Sequence, residues 1–172
     1  MLSNQLKKLI KSYPNFPEDG IIFRDFLPIL SSPGMYSDLI ETMGNDQIFY
    51  DCEAILAIDA RGFLLGSSIA LKLKKPMIVA RKPGKLPGDL ICQSYDLEYG
   101  SNSLSIQKDS LNKYEKFAIV DDLLATGGTV KCISNILKSA GKEISGLSVV
   151  IELVKLNGKA TLDFPIRSQV QF

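Results

Sequence analysis

The clearest candidate for a functional site in this chain is a pair of adjacent acids followed by a glycine-rich turn. Asp121 and Asp122 come at the end of an apolar run, and the turn Ala125–Thr129 leads into a helical pattern. Gly127 and Gly128 let a ligand approach the backbone without a Cβ in the way, and we expect a positive φ at Gly128. Amides of such a turn, with the helix N-terminus and two threonine hydroxyls, can bind a phosphate monoester. The two carboxylates accept hydrogen bonds and suit the vicinal hydroxyls of a ribose whose 5′-phosphate lies in the turn.

The simplest alternative for this segment is a tight turn in which a threonine caps the following helix. That alternative explains the glycines but leaves two neighbouring carboxylates at the end of a buried strand, where charge is costly without a partner. The joint pattern therefore favours a binding site.

Two further segments could bind anions. Arg61 lies in the turn Asp59-Ala-Arg-Gly-Phe63, which opens a helix directly after an apolar strand. Three cations and two glycines occupy the loop Arg81-Lys-Pro-Gly-Lys-Leu-Pro-Gly88, a composition that suits a lid over pyrophosphate. A capped helix and a solvated basic loop are the simpler explanations. Because both segments follow predicted strands, we expect them to share one cleft with the acids.

The composition limits which other chemistry is open to the chain. Its 172 residues include no histidine, which excludes a Ser-His-Asp triad, an HExxH zinc site and any imidazole general base. Cys52, Cys92 and Cys132 are far apart, which argues against a disulfide framework or a zinc ribbon. The net charge of +1 gives no general attraction to nucleic acid or to an anionic membrane. Carboxylates, cations and backbone amides must therefore carry any catalysis.

The elements that position these residues alternate between strand and helix. The apolar patterns predict strands over residues 54–58, 77–80, 103–107, 117–120 and 147–154. They predict helices over residues 3–13, 62–73 and 129–140, and another after Pro33. Residues 15–30 and 81–100 are expected to be mostly loop, with residues 21–23 and the later part of 81–100 extended. Continuous apolar strands between helices predict one three-layer α/β domain with a central, mainly parallel sheet.

The segment from Ala118 to Val130 resembles the PRPP-binding motif of the type I phosphoribosyltransferases (PRPP is phosphoribosyl pyrophosphate). Its sequence Val-Asp-Asp-Leu-Leu-Ala-Thr-Gly-Gly-Thr is similar to the adenine branch. Asn15–Phe26 resembles the hood of that branch, although Asp19 stands where the family usually has proline. Ser94–Gly100 resembles its flap, and the likeness runs from about Leu6 to Gln171.

This resemblance implies transfer of the phosphoribosyl group of PRPP to adenine, giving AMP and pyrophosphate in purine salvage. It implies the type I phosphoribosyltransferase fold in a single domain over residues 1–172, with a hood at roughly 1–30 and a flexible flap at roughly 81–107. It also implies a cis peptide bond near Asp59-Ala60, a catalytic Glu98 beside the adenine imidazole ring, and Tyr99 in the flap. The residues implied for the 5′-phosphate are Ala125, Thr126, Gly127, Gly128 and Thr129, and those for the ribose are Asp121 and Asp122. The residues implied for pyrophosphate are Ala60, Arg61, Gly62, Arg81, Lys82 and Lys85, and those for adenine are Ile22, Phe23 and Arg24.

The resemblance further implies Mg²⁺ held mainly through PRPP and water, with no dedicated protein ligands, and a homodimer. We expect neither nucleic acid nor a membrane as a partner. No apolar run approaches the ~20 residues that span a bilayer, and the N-terminus lacks a signal-peptide core, so we expect a cytoplasmic protein.

Two other functions fit parts of the pattern. A phosphoribosyltransferase for 6-oxopurines would keep the PRPP motif but would need a lysine in register near Leu153–Leu156, which is not evident, and the hood favours adenine. A PRPP-sensing regulator would need a DNA-binding appendage, and the short segment before Pro14 cannot form a helix-turn-helix domain.

Overall fold

The computed structural model describes residues 2–96 and 101–172. The strands, numbered along the chain, are β1 (Lys11–Pro14), β2 (Ile22–Asp25), β3 (Ala54–Ile58), β4 (Met77–Ala80), β5 (Leu90–Asp96), β6 (Ser101–Gln107), β7 (Lys116–Leu124), β8 (Glu143–Glu152) and β9 (Ile166–Gln171). The helices are α1 (Leu2–Leu9), α2 (Leu27–Leu30), α3 (Pro33–Gly44), α4 (Gly62–Leu73), α5 (Lys108–Leu111) and α6 (Gly128–Ser139). Short 3-10 turns cover Gln47–Phe49, Val154–Leu156 and Gly158–Thr161.

The centre of the molecule is a sheet of five strands in the order β4-β3-β7-β8-β9. Every neighbouring pair in this sheet is parallel. All five residues of β3 are buried, as expected for a strand covered on both faces. The predicted parallel α/β sheet is therefore confirmed.

Alternate residues of the sheet enter two separate cores, which makes the domain three layers thick. Ile55 packs in the core that contains Leu65 and Ile69 of α4. Its neighbour Leu56 points to the other side, into the core that contains Ile133 of α6. The period of two along each strand thus buries both faces, one under α1–α4 and the other under α6 and the β5–β6 hairpin.

The strand that carries the acids is longer than predicted. The apolar run 117–120 predicted a strand that ends in Asp121 and Asp122, which was two residues too short. In the structure β7 continues to Leu124, because Leu123 and Leu124 pair with Ile151 and Glu152 of β8. Both acids are therefore fixed by sheet pairing.

Two antiparallel hairpins lie outside the central sheet. The predicted helix over residues 3–13 was wrong at its end: α1 ends at Leu9, and Lys11–Pro14 instead pairs with β2. Pro14 supplies no amide hydrogen for a helix, and the strand pairing satisfies the backbone on both sides. β5 pairs with β6 over Leu90–Asp96, so the later part of the basic loop is extended, as expected. Within the described part of the chain, no helix has the length and apolar character to cross a membrane.

Candidate active site

A cleft of about 360 Å³ opens where β3 and β7 end and where α4 and α6 begin. The lining residues come from both turns, from the strand that carries the acids and from the basic loop: Asp59, Ala60, Arg61, Lys82, Leu104 and residues 121–130. Ligands of parallel α/β sheets bind at this edge, beyond the carboxyl ends of the strands. The cleft therefore gathers most of the residues that the sequence predicted to bind phosphate and ribose.

The glycine turn approaches a neighbouring segment so closely that it tolerates no side chain. Gly127 has φ +87°, and an added Cβ would lie 2.8 Å from the carbonyl oxygen of Gly158 and 2.6 Å from Thr161 Oγ1. Gly158 is equally tight, since its Cβ would lie 2.8 Å from Gly127 N. The expected positive φ at Gly128 was wrong: it falls at Gly127, and Gly128 is the first residue of α6. The amides of the turn are thus held at the amino end of a three-turn helix, where an anion is favoured.

Sequence reasoning missed the segment that supports this turn. Gly158 and Thr161 lie in a 3-10 turn after β8 and pack against Gly127. The segment falls within the general likeness from about Leu6 to Gln171, but no motif of its own marked it as part of the site.

The two acids are almost completely buried and lie side by side. Asp121 is 9% exposed and Asp122 5% exposed, and the amide of Asp122 donates to Asp121 Oδ1 at 2.9 Å. Burial, followed by the neighbouring charge of Asp122, raises the pKa of Asp121 well above its ordinary value. Burial also raises the pKa of Asp122, which the Arg61 guanidinium offsets in part. Asp122 Oδ2 is buried without an aligned hydrogen bond from the described residues.

Arg61 lies between the acids and the hood. Its Nε is 2.8 Å from Asp122 Oδ2, an ion pair without the alignment of a hydrogen bond. Its Cζ lies 4.7 Å from the centroid of the Phe23 ring, within cation–π range. Arg61 lines the cleft, whereas Phe23 lines a second, open pocket of about 470 Å³ formed by residues of the hood. The Arg61 guanidinium therefore lies between the polar cleft that carries the acids and the hood pocket that the Phe23 ring lines.

The turn after β3 also organises the basic loop. The Asp59-Ala60 peptide bond is cis, which confirms the bond expected there. Asp59 Oδ2 lies 3.2 Å from Arg81 Nε and accepts a 3.4 Å hydrogen bond from the amide of Lys82. Arg81 Nη1 donates to the carbonyl oxygen of Lys85 at 3.4 Å. Asp59, which the sequence did not single out, thus fixes the start of the loop and leaves the side chain of Lys82 in the cleft.

Successive residues of β2 turn their side chains to opposite sides. Ile22 is exposed, and the Phe23 ring meets the edge of Phe16 at 5.3 Å between centroids, on the side of the hood cavity. Arg24 points to the body, where its Cζ lies 4.2 Å from the Phe172 ring centroid and its Nη1 contacts Ser12 Oγ. Arg24, which the resemblance implied for adenine, is thus held by contacts within the hood and with the body.

The predicted residues fall into three groups by position. Those in the cleft are Ala60, Arg61, Lys82, Asp121, Asp122 and Ala125–Thr129. Those that do not line the cleft are Gly62, Arg81, Lys85, Ile22, Phe23 and Arg24. Gly62 is buried behind the cleft, where an added Cβ would lie 2.9 Å from the carbonyl oxygen of Val120. Glu98 and Tyr99 lie outside the described residues, so their roles remain predictions.

The donors around the cleft are compatible with a hard cation that is held mostly by substrate. The described residues contain no group of three or more acidic, cysteine or histidine side chains that could hold a metal ion. Asp121 and the poorly satisfied Asp122 Oδ2 are nevertheless carboxylate oxygens, the donor type that Mg²⁺ prefers.

Comparison with known proteins agrees with this geometry. Residues 34–165 match the model of the phosphoribosyl transferase domain family. The chain is 58% identical to an adenine phosphoribosyltransferase of Prochlorococcus marinus (strain MIT 9211), over 172 residues that cover 100% of both chains. Among solved structures, the adenine phosphoribosyltransferase of Thermoanaerobacter pseudethanolicus superimposes with a TM-score of 0.93 at 37% identity, covering 100% of both chains.

A third similar protein carries a ligand in its solved structure. The adenine phosphoribosyltransferase of Saccharomyces cerevisiae, complexed with D-2,5-dideoxy-2,5-imino-altritol 1,6-bisphosphate and adenine, superimposes with a TM-score of 0.89. It is 33% identical to the chain, and 98% of each chain is covered. The five-stranded parallel sheet with its flanking helices is the type I phosphoribosyltransferase fold. The chain therefore belongs to the adenine phosphoribosyltransferase family, enzymes that transfer the phosphoribosyl group of PRPP to adenine to give AMP and pyrophosphate.

Proposed function

We propose that the cleft between β3 and β7 binds PRPP and that the hood cavity next to it receives adenine. The observation that carries this assignment is Arg61, which touches Asp122 on the cleft side and the Phe23 ring on the hood side. A reaction that joins a ribose to a purine needs the two binding surfaces to be adjacent, so that the reacting carbon and nitrogen can come within bonding distance. Arg61 is the residue that both surfaces share.

The 5′-phosphate of PRPP is assigned to the turn at the start of α6. The positive φ of Gly127 and the amino end of α6 support this role, because the first turn of a helix directs its backbone amides toward a bound anion. Asp121 and Asp122 come a few residues before this turn, and their carboxylates accept hydrogen bonds from the ribose hydroxyls. Their negative charge also favours the positive charge that develops on the ribose ring as the bond to pyrophosphate breaks.

Pyrophosphate is assigned to the two turns that carry cations. Arg61 and Lys82 line the cleft and neutralise the leaving group as its charge grows. Ala60 and Gly62 contribute backbone groups of the same turn. Arg81 and Lys85 act from the loop, in which the Arg81 side chain already bonds Asp59 and the carbonyl oxygen of Lys85.

Adenine is assigned to the hood, with the face of Phe23 as its wall and the backbone of Ile22 as a partner for its amine edge. In the reaction the bond from the anomeric carbon to pyrophosphate breaks, and a bond to the imidazole-ring nitrogen of adenine forms. The proton of that ring must leave, and Glu98 is the proposed group that contacts the ring and helps to manage this proton. Tyr99 belongs to the same flap.

Mg²⁺ is the proposed cofactor, held mainly through PRPP and water. Asp121 and Asp122 would supply protein oxygens, and the buried Asp122 Oδ2 supports this because none of the described residues donates an aligned hydrogen bond to it. When bound, the ion supplies positive charge to the pyrophosphate oxygens.

The single domain over residues 1–172 is proposed to assemble as a homodimer. Leu64 and Leu71, one heptad apart on the same face of α4, are 39% and 82% exposed, which supports a face covered by a second copy. A cytoplasmic location is supported by Cys52, Cys92 and Cys132, which are all free.

The test of the function is PRPP-dependent consumption of adenine in the presence of Mg²⁺. Adenine should be turned over far better than hypoxanthine, guanine or uracil, because the hood and flap match the adenine branch. Comparable kcat/KM values for hypoxanthine and adenine would contradict the assignment.

A further inference from the structure

We propose that Phe172 is a positioning residue for the adenine wall: its ring fixes the hood on the body so that Phe23 faces the cleft. The inference rests on the proposed role of Phe23 and adds a residue that lies outside both cavities.

The hood hairpin is a structure that cannot fix its own position. β1 and β2 pair over only four residues each, and all of β1 and Ile22 are exposed. An isolated two-stranded hairpin of this length is at best marginally stable in water. Its orientation relative to the sheet must therefore come from side chains that reach the body.

The ring of Phe172, just after the end of β9, contacts both α1 and β2 of the hood. Arg24 of β2 places its Cζ 4.2 Å from the ring centroid, and Lys7 of α1 places its Nζ 5.1 Å from the same centroid. Both distances lie within cation–π range. One ring thus contacts both α1 and β2 of the hood, and β2 carries Phe23 of the proposed adenine site.

Hydrogen bonds fix the backbone of Phe172 and the strand that leads to it. The amide of Phe172 donates to the carbonyl oxygen of Glu152 at 3.0 Å, and the amide of Val154 donates to the carbonyl oxygen of Phe172 at 3.0 Å. The buried Glu152 carboxylate accepts hydrogen bonds from Ser168 Oγ at 2.6 Å and from Gln171 Nε2 at 3.1 Å. These bonds tie the end of β9 to the end of β8, so Phe172 is a fixed point of the sheet.

The consequence for Phe23 follows from the alternation of a strand. Arg24 faces the body and Phe23, its neighbour in β2, faces the cleft side, where its ring meets Arg61. A rotation of β2 that loosened Arg24 from Phe172 would turn Phe23 by the same angle. The Arg24–Phe172 contact therefore sets the orientation of the adenine wall without touching adenine.

The experiment compares Phe172→Leu with Phe172→Tyr and with the matched control Phe164→Leu. Phe164 precedes β9 at the opposite end of the sheet and packs on the other core. Phe172→Leu should raise the KM for adenine by about threefold to tenfold, the range expected for loss of a partly buried cation–π contact, while the KM for PRPP stays within twofold. Phe172→Tyr keeps the ring and should restore the wild-type KM, and Phe164→Leu should lower the Tm without separating the two KM values.

A double-mutant cycle distinguishes this contact from a general loss of stability. Arg24→Met and Phe172→Leu should each raise the adenine KM. The double variant should have an adenine KM no higher than that of the more impaired single variant, because both substitutions remove the same contact. An adenine KM that stays at the wild-type value in Phe172→Leu or in Arg24→Met would overturn the inference. If Phe172→Leu does not fold, Arg24→Met decides the matter by the same criterion, and Phe172→Tyr, which keeps the ring, should still show the wild-type adenine KM. A wild-type protein that fails to consume adenine would instead overturn the proposed function, so the two failures are distinguishable.

Discussion

The Nε atom of Arg61 lies 2.8 Å from Oδ2 of Asp122, and this ion pair joins the turn after β3 to the strand that carries both acids. The carboxylate is nearly buried, so it needs a counter-charge, and the guanidinium supplies it at 30% side-chain exposure. The same guanidinium faces the Phe23 ring. A substitution of Arg61 should therefore affect both the proposed pyrophosphate site and the two acids.

Arg61→Met keeps an unbranched apolar stem but removes the charge. We expect the KM for PRPP to rise roughly tenfold to hundredfold, since a hydrogen bond to a charged group contributes about 1.5–3 kcal/mol. Steady-state kinetics with PRPP varied at saturating adenine would measure this. Lys72→Met is the control: Lys72 lies on α4, the helix that follows Arg61, and pairs at 2.6 Å with the exposed Glu41, away from the cleft. It should change the PRPP KM by less than twofold, and an equal effect of both variants would refute a specific role for Arg61.

Gly127→Ala should abolish PRPP and AMP binding, whereas Gly141→Ala at the other end of α6 should not. Both glycines have a positive φ, +87° and +72°, so each alanine suffers left-handed strain of about 1–2 kcal/mol. Only at Gly127 does the new Cβ also meet other atoms, because Gly141 has open space around it. Calorimetric titration with AMP, together with thermal unfolding, separates the shared strain from the lost site. Unchanged AMP affinity in Gly127→Ala would show that the phosphate binds elsewhere.

The central sheet could be predicted from the sequence because its strands are buried on both faces. β3 and β4 were predicted with their observed ends, since apolar runs of four or five residues between turns leave little choice. β9 was missed because Ile166–Gln171 buries only Ile166 and Val170, with polar residues between. The hairpin β1–β2 was missed in part because the apolar spacing of α1 continues into Tyr13, although Tyr13 is exposed.

The site could be predicted where its residues are contiguous in the chain. The turn Ala125–Thr129 and the two acids carry their own motif, so the sequence located them. Asp59, Gly158 and Phe172 were missed because their effect is exerted on segments far away in sequence: Asp59 on the basic loop, Gly158 on the glycine turn and Phe172 on the hood. Contacts of this kind depend on tertiary structure, which no local spacing encodes.

Glu98→Gln should lower kcat and kcat/KM together, by ~10²-fold, because it keeps the size of the side chain but removes its capacity to accept a proton. The affinity for PRPP should barely change, since the proposed contact is with the purine. Asp122→Asn should behave differently and weaken PRPP binding, because Asp122 lines the cleft. Glu143→Gln, at an exposed position at the start of β8, is the matched control and should leave both quantities unchanged. A wild-type kcat in Glu98→Gln would show that Glu98 is only part of the flap and that the residues of the PRPP site carry the catalysis.

Asp121→Asn should make the protein more stable at neutral pH while it impairs PRPP binding. Burial and the neighbouring Asp122 raise the pKa of Asp121 in the folded state above the value of about 3.9 for an unfolded aspartate. Between these two pKa values the folded protein binds more protons than the unfolded chain, so the free energy of unfolding falls as the pH rises. The asparagine has no such charge to bury, and its Tm at pH 7 should exceed that of the wild type by about 2–4 °C, the effect of roughly 1 kcal/mol in a domain of this size. The gain should shrink as the pH is lowered toward 4, where the wild-type carboxyl is neutral in the folded protein.

The control for this pH dependence is the same substitution at an acid whose pKa moves the other way. Asp163 is exposed, and its hydrogen bond from Lys138 lowers its pKa. Its contribution to stability is therefore present above the ordinary pKa and lost as the pH falls through the lowered value, and solvent screening keeps it small. Asp163→Asn should change the Tm at pH 7 by no more than about 1–2 °C, and in the direction of lower stability. Thermal unfolding of the wild type and both variants from pH 4 to pH 8 measures the two trends. If Asp121→Asn were destabilising at pH 7 with a deficit that vanished at low pH, Asp121 would be a stabilising charge, and its burial would not carry the cost argued here.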